Sequence, residues 1–169
     1  MIADPTMKTS DSNYRLEELL GFNLSIISNT MAKLVGNYYD REFDLGITEA
    51  RIIGVVGQDG PVSIRDITDK TRIDKGWISR SVTNLLKREL ITKQGDKVDA
   101  RKVQLLLTDE GQEIFHQLMA TSVTRNEKLT SVLSPGERIL LMELLSRLQS
   151  QADQMLSEEL QTSEQKEDL

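Results

Sequence analysis

Ser63-Ile64-Arg65-Asp66-Ile67-Thr68-Asp69-Lys70-Thr71-Arg72-Ile73-Asp74-Lys75-Gly76-Trp77-Ile78-Ser79-Arg80-Ser81-Val82-Thr83-Asn84-Leu85-Leu86-Lys87 is the stretch on which the fold turns. Ser63 followed three residues later by Asp66 is a capping box variant, so a short helix starts there and runs to about Thr71 with Ile64 and Ile67 toward the core. Asp74 is placed to cap the next helix, in which Ile78, Val82, Leu85 and Leu86 share one face. At about 100° per residue the opposite face carries Gly76, Arg80, Thr83, Asn84 and Lys87, with Trp77 and Ser79 flanking it and Lys75 at the helix start. Downstream, Ile91-Thr92-Lys93 and Val103 to Leu107 are expected to be short strands joined by the loop Gly95-Asp96-Lys97-Val98-Asp99-Ala100-Arg101-Lys102. Helix, turn, helix with a cationic face and then a basic hairpin is the pattern of a winged helix-turn-helix. The second helix suits the DNA major groove, and the hairpin tip the minor groove or the phosphates beside it.

Outward from this centre the chain is helical. Apolar residues recur at helical spacing from Tyr14 to Tyr39, and Thr48 is the expected N-cap of a short buried helix containing Ile52, Ile53, Val55 and Val56. Gly57 to Pro61 should end it. Thr108 begins a long helix, and Ser134-Pro135-Gly136-Glu137, a capping box with proline at the first helical position, opens another. That last helix is apolar around more than half its circumference, more than one protomer buries easily. Broad apolar faces at both ends of the chain therefore suggest a homodimer of interlocking terminal helices. Such a dimer spaces two recognition helices about one DNA turn apart, roughly 34 Å. The expected class is mainly α, a winged helix-turn-helix with long N- and C-terminal dimerisation helices. Residues 1–12 form a flexible N-terminus, 13–47 the N-terminal dimerisation helix and its connection, and 48–108 the winged DNA-binding region. Residues 109–156 form the C-terminal dimerisation helices and 157–169 an acidic, frayed tail.

The 169 residues, 38% of them hydrophobic, predict one compact unit with helical extensions. The absence of cysteine excludes disulfides, thiolate metal sites and thiol redox sensing. No apolar run approaches the roughly 18 residues of a membrane span, and Met1 to Ser12 lacks a signal-peptide layout, so a cytoplasmic protein is expected. The net charge of −6 argues against a polyanionic partner until its distribution is considered. Val62 to Gln104 holds 11 Lys or Arg against 6 Asp or Glu, a local +5 in a chain that is otherwise −11. Local charge steers a polyanion, and the average does not.

The segment Asp74 to Leu86 resembles the recognition helix of the multiple antibiotic resistance regulator (MarR) family of bacterial transcription factors. Asp99-Ala100-Arg101 together with Leu107-Thr108-Asp109-Glu110-Gly111 resembles that family's wing and the start of the helix after it. The likeness extends over roughly residues 14–156. It departs at Glu89, where family members commonly carry glycine in a left-handed helix cap, so a differently built helix end is expected there.

The resemblance implies a homodimeric repressor that binds double-stranded DNA at a pseudo-palindromic operator and is released by a small aromatic or anionic effector. Arg101 is the candidate for the minor groove, whose narrow walls concentrate negative potential, with Asp99 pairing to hold it. Arg80 can donate bidentately to guanine, Ser79 and Asn84 can bond bases or phosphate, and Trp77 can lie against sugar or a thymine methyl. Thr83 and Lys87 share that face, and Gly76 lets the DNA backbone come close. Arg65, Arg72, Lys75, Lys97 and Lys102 are candidate phosphate contacts; the bland alternative for each is a solvated charge. Tyr38, Tyr39, Phe43, Arg51, Phe115 and Met119 are candidate linings of an effector pocket, with Arg51 as the carboxylate anchor, and simple core packing is their alternative. His116, the single histidine, lacks companions for a zinc site, so no metal or other cofactor is expected. An enzyme would need a convergent nucleophile and base, and nothing supplies one. A winged-helix protein-interaction module, or an activator without a ligand, is the remaining alternative.

Overall fold

The computed structural model describes residues 15–95 and 103–167. Residues 1–12 and the wing-tip candidates Lys97, Asp99, Arg101 and Lys102 lie outside the described residues. A short 3-10 turn at Leu16–Glu18 precedes α1 (Leu20–Phe43), α2 (Ile47–Asp59), α3 (Ile64–Thr71) and α4 (Lys75–Lys87). Strands β1 (Ile91–Gly95) and β2 (Val103–Leu107) follow, then α5 (Asp109–Thr130) and α6 (Pro135–Glu167). The class is the expected one, mainly α with a winged helix-turn-helix. The strands pair antiparallel in the register Ile91 to Leu107 through Gly95 to Val103. Val62 forms an isolated antiparallel bridge by exchanging backbone bonds with Leu105, of 3.2 and 2.8 Å.

The chain forms two units rather than the single one expected, and the boundary falls between Met119 and Ala120, inside α5. The first unit holds the whole buried cluster, from Leu45 through Ile52, Ile53, Ile67, Ile78, Val82, Leu85, Leu90, Ile91 and Leu105 to Leu118. In the second unit α6 has no buried residue among those described.

Local chemistry accounts for most helix starts. Ser63 Oγ accepts from Asp66 N at 3.2 Å while the Asp66 carboxylate accepts from Ser63 N at 2.8 Å. Asp74 Oδ1 accepts from the amides of Gly76 and Trp77 at 2.9 and 3.1 Å. Ser134 N donates to Glu137 at 2.8 Å, and these bonds from Ser134 hold the Glu137 carboxyl below its usual range. The start of α2 differs from the expectation. Gly46, not Thr48, is its N-cap, and Glu49 reaches back to accept from Gly46 N at 2.9 Å. A carboxylate at the third helical position satisfies the Gly46 amide, so the helix starts before Thr48, which lies two residues after that cap.

α1 begins at Leu20 rather than near Tyr14, and it runs four residues past Tyr39 to Phe43. α6 continues as helix to Glu167, so residues 157–167 are not the frayed tail that their acidity suggested. Spacing explains this: Gln154 donates to Glu158 at 2.9 Å and Thr162 to the Glu158 carbonyl at 2.9 Å, one turn apart along the helix.

Candidate nucleic-acid interface

α4 is held by Ile78, Val82 and Leu85, all fully buried, with Leu86 half-buried beside them. Its opposite side presents Lys75, Trp77, Arg80, Thr83 and Lys87 to solvent, and Gly76 and Ser79 are half-buried at the helix start. Trp77 is 60% exposed, an unusual place for so large an apolar ring. The Arg80 guanidinium stacks over it, 4.4 Å from the ring centroid. This cation–π contact restricts a long, flexible donor of the face before any ligand arrives. Thr83 donates to the Ser79 carbonyl at 2.9 Å, which leaves its oxygen outward only as an acceptor.

Asn84 does not share this freedom. Its Nδ2 donates to Glu49 Oε1 at 2.5 Å, so its amide is committed to α2. Arg65 is exposed on α3 and lies 3.6 Å from Asp69, one turn on. Arg72 is exposed and closes α3 in the left-handed conformation, φ 56°.

The turn out of α4 is built from two backbone bonds, Leu90 N to Leu85 O at 3.0 Å and Glu89 N to Leu86 O at 3.2 Å. This is a Schellman closure with Glu89 at φ 57°. The expectation of a different helix end is therefore corrected: Glu89 takes the same left-handed conformation that glycine would, at a steric cost of about 1 kcal/mol. Thr108 ties this turn to α5, donating to the Glu89 carbonyl at 2.7 Å and accepting from Gly111 N at 3.1 Å. A Cβ on Gly111 would lie 2.0 Å from the Leu90 carbonyl oxygen. The Leu-Thr-x-x-Gly junction thus has a steric origin, because only glycine lets α5 start against the end of α4.

The six candidate pocket residues do not converge. Tyr38, Tyr39 and Phe43 form an edge-to-face aromatic group at the end of α1, with centroids 6.0 and 5.8 Å apart. Phe115 packs on Gly57, where a Cβ would come within 2.4 Å of its ring. Arg51 and Met119 do meet, lining a hollow of about 330 Å³ with Gly54, Val55, Gln58, Lys70 and Thr71. Lys70 also pairs with Asp59. Lys70 was legible only as one more basic residue, since nothing local marks it as Arg51's neighbour. His116 is exposed, with Nε2 3.2 Å from Gln112 Nε2. Among the described residues no three acidic or histidine side chains group as metal ligands, and no helix is long and apolar enough to cross a membrane.

With this geometry in place, the comparisons with known proteins agree on one family. The model of the MarR family matches residues 43–102, from the end of α1 through the wing. Over this winged-helix region the chain is similar to the MarR family. The HTH-type transcriptional regulator FarR of Neisseria gonorrhoeae is 26% identical over 98 residues, 58% of this chain and 67% of that protein. The MarR/EmrR family transcriptional regulator from Acinetobacter sp. ADP1 superposes with a TM-score of 0.78 at 26% identity, covering 83% of this chain and 99% of that one. MepR of S. aureus, solved as a DNA complex, has a TM-score of 0.73 at 20% identity, covering 80% and 98%, a likeness of fold alone. The comparisons support a DNA-binding transcriptional regulator rather than an enzyme.

Proposed function

We propose that the chain acts as a homodimeric repressor of a pseudo-palindromic operator, with α4 in the major groove and the wing, through Arg101, at the minor groove. The observation that carries this is the outer face of α4, where Arg80 lies pre-stacked on an exposed Trp77 between Lys75 and Lys87. In DNA the stack would let Arg80 reach a guanine edge while the indole covers a neighbouring thymine methyl or sugar. Arg65, Arg72, Lys75, Lys87, Lys97 and Lys102 would neutralise phosphates around that contact.

Residues 13–47 and 109–156 are assigned to dimerisation and 48–108 to DNA. The apolar side chains support this, since Leu20 and Ile27 on α1, and Ile139, Leu140 and Met142 on α6, are all more than half exposed in the single chain. Release would follow when an anionic effector, anchored by Arg51 and Lys70 in the hollow between α2, α3 and α5, favours a dimer with wrongly spaced recognition helices.

Selection of bound duplexes from a random pool tests this. The expected result is a consensus with twofold symmetry, bound with an affinity that falls steeply with salt. A consensus without symmetry would break the dimer assignment, and salt-insensitive binding would break the phosphate assignments.

A further inference from the structure

α4 is seated on the core by Ile78, Val82 and Leu85, and burial of this kind is non-directional. It keeps the helix from leaving but fixes its tilt poorly. Direction is supplied at the other end of α4 by two polar side chains one turn apart on the same edge, Asn84 and Arg88. Arg88 Nη2 donates to the Phe43 carbonyl at 2.9 Å, Nη1 donates to the Asp44 carbonyl, and Nη1 is 3.8 Å from the Asp44 carboxylate. These carbonyls are the terminal acceptors of α1, where the helix dipole is negative and no intrahelical donor remains. The Arg88 side chain is only 28% exposed. Asn84 grips the far side of the same turn through Glu49, whose other oxygen caps α2 at Gly46.

We propose that Asn84 and Arg88 are positioning residues, a polar clamp that sets the orientation of α4 on the α1–α2 turn and carries displacement of α1 to the DNA-reading helix. The proposal rests on α4 being that helix. It assigns Asn84 a role different from base contact, and it gives Arg88 a role that its place in a basic run does not suggest. A guanidinium chelating two successive carbonyls moves with them, because its donors have fixed geometry.

The test uses the full chain and the duplex selected above. Arg88→Ala is expected to weaken binding about tenfold with the slope of log affinity against log salt unchanged, whereas loss of a phosphate contact lowers that slope by about 1. Arg88→Lys, which keeps the charge but not the paired donors, should recover only part of the loss. Asn84→Ala and Glu49→Ala should each weaken binding, and the double variant should lose little more than either one, as coupled residues do. Without DNA, Arg88→Ala should speed hydrogen exchange at the Asp44 and Leu45 amides, which close α1. A lowered salt slope, additive Asn84 and Glu49 effects, or unchanged exchange would each overturn the clamp. Wild-type protein that binds no duplex would instead break the DNA-reading assignment, and the exchange arm would then still decide whether the clamp exists.

Discussion

α4 and α6 are both amphipathic helices opened by a side-chain cap, yet their apolar faces meet different fates. α4 has 13 residues and buries Ile78, Val82 and Leu85 within its own chain. α6 has 33 residues and none of its described side chains is buried, leaving Ile139 73% and Met142 67% exposed. The width of the stripe separates them. A stripe matched to neighbouring helices closes a core, while one that covers most of a helix needs surface from another molecule. Under the proposed function the same contrast divides the labour of the protein, with a self-sufficient region for DNA and an unsatisfied one for a second copy.

Leu85→Ala should break the comparison most forcefully on the α4 side. Truncating a fully buried leucine costs about 2–5 kcal/mol, and calorimetry should find this loss at every protein concentration. The counterpart on α6 is Leu144→Glu. It should raise the dimer dissociation constant on the order of a hundredfold, seen by sedimentation, and make apparent stability depend on concentration. A Leu144→Glu protein that remains dimeric at low micromolar concentration would remove the contrast.

Trp77→Ala sharpens the comparison from the outer face of α4. It should weaken duplex binding about tenfold, within the range of about 1–3 kcal/mol for a good base contact, and leave the melting temperature nearly unchanged because the ring is exposed. A large drop in melting temperature would mean that the indole packs rather than reads. The smallest effect is expected at the end of α4. Glu89→Gly should stabilise the fold by about 0.5–1 kcal/mol in denaturant titration, since glycine adopts φ 57° without steric conflict. Destabilisation would show that the glutamate contributes contacts worth more than the strain.

Much of this is legible in the order of residues because its causes are local. Ser63 with Asp66, Asp74 alone, and Ser134 with Glu137 each satisfy amides within three residues, so the starts of α3, α4 and α6 can be read directly. Thr48 misleads for the same reason, being a good cap type two residues after a glycine that Glu49 caps instead. Glu89 was the right residue with the wrong consequence. Composition disfavours a left-handed helix end there, but the two Schellman bonds and the Thr108 link impose one. The aromatic candidates separate within the single chain because side chains that share a chemistry need not share a cavity. Tyr38, Tyr39 and Phe43 satisfy one another at the end of α1, while Arg51 and Met119 meet elsewhere with Lys70.

The sequence by itself determined the helix order, the caps, the buried and basic faces of α4, and the surplus of apolar surface toward both ends, since periodicity and short-range hydrogen bonding are properties of neighbours in the chain. Tertiary structure alone decided that Asn84 faces Glu49 from 35 residues away, that Arg88 closes α1, and that Gly111 must leave room for the Leu90 carbonyl. Those contacts join residues that no local pattern relates, and their geometry exists only once the core has brought α1, α2, α4 and α5 together.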